Sequence, residues 1–586
     1  MKNTTFYILL LVLFNSCNDT KKESNLDFTT LFETSNGTET PTYHEVISYY
    51  ENLAQSYFSI SIFEMGETDS GEPLHLVVYN PFENTDNNLE TLFSDPDQKN
   101  VVLINNGIHP GESDGIDASM LLLRDFAQNN IQAPKKSIIA VIPVYNIGGA
   151  LNRNSTSRTN QNGPKSYGFR GNSRNYDLNR DFIKSDTKNA KAFAQLFHIV
   201  NPDLFIDNHV SNGADYQYIL THLFTQHNKL GGDLGSYLNQ SLLPQLEDSL
   251  LQKKWDITPY VNVFNRTPEN GFSQFMDYPR YSTGYTTLFN TLGMMVETHM
   301  LKPYKERVEG TYELMRSFIS IAENDADNIN ALRKKAISQF ETGNSYPTKW
   351  AIDSSKSRTL QFKGYEASME ISNVTNANRL KYHRDQPYTK PVSYYNHFKA
   401  TDSIIIPSAY VIPKGQWQII EQLKNNNISF SIIESDTVIK AEVYRIKSYE
   451  TYKNPYEGHY PHYNTKTEVI EENVTLKKGD YLVFTQQAGV RYLLETLEPS
   501  AVDSFLNWNY FDTILQQKEG FSPYVWEDKA EEFLINNPNV KDQFEKKKSS
   551  DPNFAANWFA QLDWIHKNSP NYEKSHLRYP IVRVRN

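Results

Sequence analysis

The fold is decided by one stretch of the chain, Val101-Val102-Leu103-Ile104-Asn105-Asn106-Gly107-Ile108-His109-Pro110-Gly111-Glu112. Its four leading apolar residues predict a buried strand, and the Asn, Gly and Pro residues after them predict a turn. A patterned segment follows at 114–129, and within it a helix is predicted at 115–128. An imidazole and a carboxylate three residues apart at such a strand-to-helix corner can point at one ion, which predicts metal-assisted hydrolysis before any fold is assumed.

Length and composition set the outer limits of the interpretation. A chain of 586 residues is too long for one ordinary core, so two or three domains are expected. A hydrophobic content of 39% and an aromatic content of 13% are typical of a globular protein. The formal net charge is -11 and no basic cluster rises above background, which argues against nucleic acid as a partner.

The N-terminus has the pattern of an export signal. A short positive start and an apolar run at 6–14 precede Cys17, the only cysteine, and polar residues follow it. Residues 1–16 therefore resemble a bacterial lipoprotein signal peptide, with cleavage before Cys17 and a lipid attached to it. Phe14 stands where such signals usually carry Leu, and a plain signal peptide with a coincidental cysteine is the alternative. The polar residues 17–40 predict a tether, and the expected location is the periplasm, the outer membrane or the cell surface, with membrane contact through the lipid.

Residues 41–330 alternate apolar strands with helices, which is typical of an α/β domain whose largely parallel or mixed sheet is covered on both faces. Such sheets place ligands at the carboxyl ends of their strands. Strands are predicted at 58–65, 74–78, 101–104, 138–144, 204–209 and 294–297. Helices are predicted at 43–53, 115–128, 188–200, 231–253 and 304–322.

Residues 341–586 differ in composition and predict a β-rich or α/β accessory region of unknown function. The pattern indicates strands at 404–406, 428–433, 481–484 and 579–584, helices at 416–424 and 490–497, and a helical stretch at 528–567. The aromatic loop at 452–463 contains His459 and His462. It could line a substrate surface or hold a second metal, but a solvent-exposed hairpin loop is favoured because no acidic residue lies at ligand spacing.

Polar residues recur where predicted strands end. His109 and Glu112 supply two ligands, and a catalytic zinc site needs a third. His209 ends the strand at 204–207 and is the best candidate, although only tertiary structure can bring it to Glu112. Glu297 ends another apolar strand, where a carboxylate could take a proton from metal-activated water and hand it to a leaving amine.

A polar loop between these strands offers anion-binding groups. Asn179 and Arg180 are adjacent, and an Arg beside an Asn can hold a carboxylate by charge-assisted hydrogen bonds. Upstream, Arg158, Arg170 and Arg174 are further cations that could polarise a scissile carbonyl.

The order of these motifs along the chain resembles the zinc carboxypeptidase family of carboxypeptidase A type. The motifs are His-x-x-Glu, then Asn-Arg, then a strand-ending His, then a strand-ending Glu. The resemblance covers residues 43–325. It implies a mixed sheet of the eight-stranded type sandwiched by helices, and one Zn²⁺ per chain. His109, Glu112 and His209 match the family's metal ligands.

The resemblance also implies roles for the remaining residues. Asn179 and Arg180 match the pair that binds a substrate's free C-terminal carboxylate, and Glu297 matches the general base. Arg170 most resembles the carbonyl-polarising Arg, with Arg158 and Arg174 as rivals. The candidates for the family's mobile Tyr are Tyr278, Tyr281 and Tyr285. The candidates for its specificity position are Ser282 and Thr283. Tyr281 and Tyr285 are taken as the substrate-binding pair.

One departure from the family pattern concerns the third ligand. Family members commonly have Ser directly after it, whereas Val210 intervenes here before Ser211. This puts the local backbone contacts in doubt, though not the ligand itself.

The sequence therefore predicts a zinc metallocarboxypeptidase that hydrolyses the C-terminal amino acid from peptides. One alternative within the same chemistry is a hydrolase of murein peptides or another amide. Another, of a different class, is an inactive lipoprotein that captures peptide or glycan in the cleft.

Overall fold

The computed structural model describes residues 27–82, 88–93 and 100–585. The predicted signal peptide and Cys17 lie outside the described residues. Along the part of the chain that the structure describes, no helix combines the length and apolar character that a membrane span requires.

The N-terminal half alternates strands and helices, as the sequence predicts. Its strands are β1 (Ile60–Glu67), β2 (Pro73–Tyr79), β3 (Asn100–Asn105), β4 (Ser137–Ile142), β5 (Leu204–Ser211), β6 (Leu220–Phe224), β7 (Ile257–Pro259), β8 (Phe272–Ser273) and β9 (Leu292–His299). Its helices are α1 (Leu31–Thr34), α2 (Tyr43–Ser56), α3 (Leu89–Leu92), α4 (Asp114–Ala127), α5 (Ile147–Leu151), α6 (Lys188–Val200), α7 (His227–Leu230), α8 (Gly232–Tyr237), α9 (Leu243–Gln252), α10 (Ser282–Thr287), α11 (Tyr304–Asn324) and α12 (Ala326–Ile337).

Eight strands form one mixed sheet in the order β1-β2-β4-β3-β5-β9-β6-β7. The central strands β4, β3, β5 and β9 are parallel to one another. The outer strands β2 and β6 run antiparallel to their inner neighbours. The predicted fold class, a mixed sheet within an α/β domain, is therefore confirmed, and the carboxyl ends of the parallel strands meet at one edge.

Two apolar layers sandwich this sheet. Alternate residues of β3 point to opposite faces, so Val102 and Ile104 join the layer under α2, α4, α9 and α11, while Val101 and Leu103 join the layer under α6. Each fully buried side chain of this kind contributes roughly 1.5–3 kcal/mol. The second layer also includes residues from the C-terminal half, so that half completes the core rather than standing apart.

Local signals explain several element boundaries. A capping box between Thr42 and Glu45 starts α2. Thr187 caps the first turn of α6, and Asn201 ends it in a left-handed conformation at φ 44°. The predicted single helix at 231–253 is instead α8, a π-helical turn at Leu238–Leu242 and α9.

The predicted tether at 17–40 is folded from residue 27 onward. Phe28 and Phe32 are buried in the core of the N-terminal half, and the Thr40 hydroxyl donates to buried Asp117 at 2.6 Å. The prediction was wrong for these residues because their mean polarity conceals two aromatic anchors spaced four apart on and next to α1.

The C-terminal half contains two long hairpins and a six-stranded sheet in the order β15-β18-β14-β19-β16-β17. Its strands are β10 (Ser345–Ile352), β11 (Arg358–Ile371), β12 (Asn378–Tyr395), β13 (Phe398–Ile405), β14 (Ala409–Ile412), β15 (Ser431–Ile432), β16 (Thr437–Thr451), β17 (His462–Leu476), β18 (Tyr481–Phe484) and β19 (Arg578–Val584). Its helices are α13 (Trp417–Asn425), α14 (Val490–Leu497), α15 (Pro523–Asn536), α16 (Pro538–Ser550), α17 (Pro552–Ala556) and α18 (Trp558–Lys567).

The two halves are joined through a sheet as well as through the core. In the N-terminal half, β8 pairs in parallel with β12 of the hairpin β11–β12. The strand predicted at 428–433 is only Ser431–Ile432, because Ile428 leaves the sheet and is buried in the shared core. The accessory region therefore packs on the α6 face of the large sheet and also pairs with β8.

Candidate active site and metal centre

Adjacent strands deliver the predicted catalytic side chains to one place. The turn after β3 carries His109 and Glu112, closed by a 2.8 Å hydrogen bond from the Glu112 N–H to the His109 carbonyl. His209 lies in β5 and Glu297 in β9, where they are direct partners in the parallel register. Gly107, with φ 66°, allows the backbone to leave β3 in the left-handed region.

His109, Glu112 and His209 form a group that could hold a metal ion, because one donor atom from each lies within 4.8 Å of the others. All three are buried, with exposed fractions of 3%, 4% and 3%. The Nδ1 atom of His109 is buried without a hydrogen-bond partner, although Glu112 Oε1 lies 3.3 Å away. Two imidazole nitrogens and one carboxylate are a ligand set typical of catalytic zinc, so the residues fit the ion that the sequence predicts.

Both imidazoles are oriented by carboxylates. His109 Nε2 is hydrogen-bonded to Asp177 Oδ1 and His209 Nε2 to Asp207 Oδ2, each at 2.9 Å. Both rings therefore turn Nδ1 toward the shared point. A carboxylate on the far nitrogen of a ligand histidine fixes its tautomer and raises its basicity. The Ser282 hydroxyl donates to Asp207, which gives one of the two predicted specificity residues a different contact.

Glu112 is held as a carboxylate. Arg158 donates to its Oε1 at 2.8 Å, and the Val210 N–H donates to its Oε2 at 2.9 Å. Burial alone would raise the pKa of Glu112, but Arg158 and His109 hold it well below its usual range. The departure at Val210 therefore leaves the backbone contact to the ligand in place.

Glu297 faces the same cavity from β9. Burial raises the pKa of Glu297 to about 8, with His209 opposing the shift and Glu112 adding to it. A divalent cation beside it would favour the charged form, which a general base requires.

One cavity of about 530 Å³ joins these groups to most of the other predicted residues. It is lined by His109, Glu112, Arg158, Arg170, Asn179, Arg180, His209, Tyr281 and Glu297. A pocket with convergent polar groups at the carboxyl ends of parallel strands is the expected position for catalysis in such a sheet.

The structure distinguishes the three arginines that are candidates for polarising the scissile carbonyl. Arg158 and Arg170 both line the cavity, and Arg170 binds Asp177 through Nε at 3.0 Å and Nη2 at 2.9 Å. Arg174 instead lies over the Tyr176 ring, with its guanidinium carbon 5.0 Å from the ring centre. Two of the three candidates therefore remain for polarising a carbonyl.

Asn179 and Arg180 lie on a 3-10 turn, Leu178–Arg180, whose first residues are capped by the Asp177 side chain. The Arg180 guanidinium lies 4.7 Å above the Tyr281 ring and is 22% exposed. Its Nη1 donates to the Asn179 carbonyl at 2.8 Å. The pair thus presents a partly solvated cation and an amide toward the cavity, which suits capture of a carboxylate.

The prediction that Tyr285 binds substrate is wrong. Tyr285 is fully buried in the aromatic layer beneath the sheet, and its hydroxyl donates to Asn426 at 2.6 Å. Tyr285 lies on α10, four residues after Tyr281, so position in the sequence alone did not distinguish the two. Tyr278 lies near Lys229, 5.8 Å from its ring centre, so Tyr281 is the candidate that lines the cavity.

Several cavity residues were missed by the sequence analysis. Their common feature is that they follow β7 or precede α10 without any recognisable motif; they are Tyr260, Asn262, Phe275 and Asp277. Leu223 and Met295 add apolar walls. Their only signal is position, since β9 neighbours the strand that carries His209 and β6 neighbours β9.

His459 and His462 make no metal site among the described residues. His459 binds Asp186 at 2.7 Å, and His462 binds Asp512 at 3.0 Å. The loop between β16 and β17 is a hairpin loop, as favoured from the sequence, but it packs on the catalytic half.

The chain is similar in sequence to known carboxypeptidases. The family model described as zinc carboxypeptidase matches residues 46–203. Carboxypeptidase 2 of Trichophyton equinum is 23% identical over 438 residues, covering 70% of this chain and 73% of that protein. Carboxypeptidase 2 of Trichophyton rubrum is 22% identical over 507 residues, covering 81% and 85%. Carboxypeptidase A of Helicoverpa armigera has a TM-score of 0.37 at 14% identity, covering 53% of this chain and 78% of that structure.

The match to the zinc carboxypeptidase family places such a domain at residues 46–203, in the N-terminal half. The family match, the relatives and the His-Glu-His group together support the activity of a metallocarboxypeptidase, a hydrolase.

Proposed function

We propose that this protein binds one zinc ion on His109, Glu112 and His209 and releases the C-terminal residue of peptides outside the cytoplasm. The observation that carries the proposal is the convergence of these three donors, within 4.8 Å, in the same cavity as Asn179, Arg180 and Glu297. A metal site alone would fit many hydrolases, whereas a carboxylate anchor beside it favours an exopeptidase.

Different residues of the cavity bind the substrate and transfer the proton during hydrolysis. When bound, zinc would lower the pKa of water and polarise the scissile carbonyl. Asn179 and Arg180 hold the substrate's terminal carboxylate, which sets the last peptide bond before Glu297. The Glu297 carboxylate takes a proton as water adds to the carbonyl carbon. It delivers that proton to the amine nitrogen as the C–N bond breaks.

An arginine of the cavity stabilises the negative charge that develops on the substrate's carbonyl oxygen. As water adds, negative charge develops on the carbonyl oxygen, and a guanidinium that donates to this oxygen favours the transition state over the bound peptide. Arg170 and Arg158 both reach the cavity and can supply these donors. Arg170 is the more exposed, at 46% against 13%, and is therefore freer to meet a substrate.

The test is release of C-terminal amino acids from a peptide library, read by mass spectrometry. Matched peptides with a free and an amidated C-terminus are compared, because Arg180 demands the free carboxylate. Chelation followed by zinc addition, and the Glu297→Gln variant, control for contaminating peptidases. Stem peptides of peptidoglycan form a separate arm; cleavage there alone would favour the murein-peptide alternative. Peptide binding without turnover by a metal-free protein would support the inactive binding protein instead.

Attachment of the enzyme to a membrane is also part of the proposal. It is supported by the apolar run that ends in the sole cysteine, Cys17. The full chain and a Cys17→Ala variant, expressed in a bacterial host, are compared by membrane fractionation and by incorporation of labelled palmitate. We expect label and membrane association for the full chain alone; equal distribution of both proteins, without label, contradicts the anchor.

A further inference from the structure

The accessory region reaches the back of the active site through one loop. We call residues 452–461, between β16 and β17, the hairpin tip. The Asp177 N–H donates to Glu457 Oε2 at 2.8 Å, a contact that spans 280 residues of sequence. Glu457 is partly buried and has φ 48°, and Gly458 beside it has φ 81°. A non-glycine residue in the left-handed region costs of the order of 1 kcal/mol, so its surroundings must hold it there.

Close packing of Gly458 contributes to this constraint. A Cβ added to Gly458 would lie 2.7 Å from the Tyr176 hydroxyl oxygen, which is closer than real Cβ contacts. The tip therefore approaches the segment before Asp177 with its backbone. This approach brings the neighbouring Glu457 carboxylate to the Asp177 N–H.

Asp177 is the centre of the site's polar network. Its Oδ1 is bonded to His109 Nε2 at 2.9 Å and accepts from the Asn179 N–H at 3.0 Å. Its Oδ2 accepts from Arg170 Nε at 3.0 Å. One side chain thus orients a metal ligand, a cavity arginine and the turn that carries the carboxylate anchor. Its backbone N–H is the polar group that Glu457 fixes.

Other contacts hold the hairpin tip against the catalytic half. His459 binds Asp186 at 2.7 Å, and the Tyr456 ring stacks on Trp508 with centres 6.1 Å apart. Arg280 lies 5.0 Å above the Trp508 ring and binds buried Asp503 at 2.7 Å. The residue after Arg280 is Tyr281, whose ring lies under Arg180. The accessory region therefore supports the anchor from two directions.

The charge of Glu457 indicates that its contact with the Asp177 N–H does more than hold the two halves of the chain together. Its carboxylate lies beside the Asp177 backbone while Asp177 itself already carries a negative side chain, and the nearby cations are Lys184 and Arg180. A surface contact between two halves needs no second carboxylate at this point. A charged acceptor is, however, among the strongest ways to fix a backbone N–H.

We propose that Glu457 is a positioning residue for catalysis, which acts through Asp177 to fix the His109 ring and the turn holding Asn179 and Arg180. This inference rests on the proposed function, and it makes the C-terminal region part of the active site. Glu457 itself touches neither the cavity nor the metal ligands.

The experiment compares three full-length variants with the wild-type protein. Glu457→Ala removes the acceptor, Glu457→Gln keeps an acceptor oxygen without the charge, and Glu450→Ala is the matched control. Glu450 is exposed on the same hairpin and accepts from Asn464 at 2.9 Å. Measured quantities are kcat and KM for a free-carboxylate peptide, the dissociation constant for Zn²⁺ from competition with a chelator, and the melting temperature.

Loss of outer partners of a metal site typically costs 10–100-fold in affinity or activity. Glu457 is one hydrogen bond further from the metal than Asp177, which contacts the ligand His109. We therefore expect Glu457→Ala to lower kcat/KM about tenfold, mainly through KM, and to weaken Zn²⁺ binding severalfold. Glu457→Gln is expected to recover most of both, and Glu450→Ala to match wild type.

The inference is overturned if Glu457→Ala has the same kcat/KM and Zn²⁺ affinity as the wild-type protein. It is also overturned if Glu457→Ala and Glu450→Ala lose kcat/KM and Zn²⁺ affinity to the same extent. If Glu457→Ala does not fold, Glu457→Asp withdraws the acceptor by one methylene while keeping the charge, and the same outcomes apply. A wild-type protein that cleaves no peptide refutes the proposed function, and the Zn²⁺ competition then still decides the role of Glu457.

Discussion

Asp117 on α4 gives the sharpest prediction about stability. Its carboxyl is fully buried, accepts from Thr40 at 2.6 Å and from the Tyr304 hydroxyl, and has one oxygen without a partner. Burial raises the pKa of Asp117 to about 7, against the lowering effect of the two hydrogen bonds. The perturbation is Asp117→Asn, which keeps the acceptor for both hydroxyls and cannot ionise.

The direction follows from proton binding. An unfolded Asp releases its proton near pH 4, whereas folded Asp117 keeps it to about pH 7, so the folded state binds more protons between these values. The contribution of this group to stability is therefore full below pH 4 and is lost as the pH rises to 7. Each pH unit in this window removes up to ~1.4 kcal/mol, which gives roughly 2–3 kcal/mol between pH 5 and pH 8.

The assay is urea unfolding of the wild-type and Asp117→Asn proteins from pH 5 to pH 8, with chelator present so that metal loss at low pH does not contribute. The Asn variant should gain roughly 2–3 kcal/mol over wild type across this range, because only the wild-type protein loses the proton-linked term. Asp327→Asn, at a site that is 68% exposed, is the control for the same chemical change. A difference between Asp117→Asn and wild type that is constant with pH would refute the reasoning.

The remaining predictions concern the active site. Glu297→Gln should lower kcat by ~100-fold to 10⁴-fold, the usual range for a lost general base, while elemental analysis still finds one zinc per chain; appreciable turnover by the zinc-loaded variant would remove Glu297 from this role. Arg180→Met should raise KM for free-carboxylate peptides and lower kcat/KM by ~10–100-fold, because a hydrogen bond to a charged group contributes ~1.5–3 kcal/mol. If steady-state kinetics show the same preference for free over amidated peptides in Arg180→Met as in wild type, the anchor lies elsewhere.

Much of the catalytic half could be predicted from sequence because its strands are continuous apolar runs and its helices carry clear end signals. The run before His109 is β3, and the helix predicted at 188–200 has those bounds in the structure. His109, Glu112 and His209 could be grouped because each ends a strand or follows one, and strands of one parallel sheet end at one edge.

The rest depended on contacts that no local pattern reveals. Asp177 orients His109 through a hydrogen bond that spans 68 residues of sequence, and Tyr260 reaches the cavity from a segment without a motif. Tyr281 and Tyr285 are indistinguishable by composition, and only their opposite directions at the start of α10 separate a cavity residue from a core residue. The role proposed for Glu457 requires the packing of two halves of the chain, which periodicity within either half cannot report.

The pairing of His209 with Glu297 in the parallel register has a consequence for how the protein tolerates change. The distance between ligand and base is set by the spacing of hydrogen-bonded strands, about 4.8 Å, and not by the length of any loop. A change in the length of a surface loop therefore leaves this distance unaltered while the two strands keep their register. A one-residue slip within β9 would instead turn Glu297 to the opposite face of the sheet, leaving a folded protein that keeps all three metal ligands but has no base.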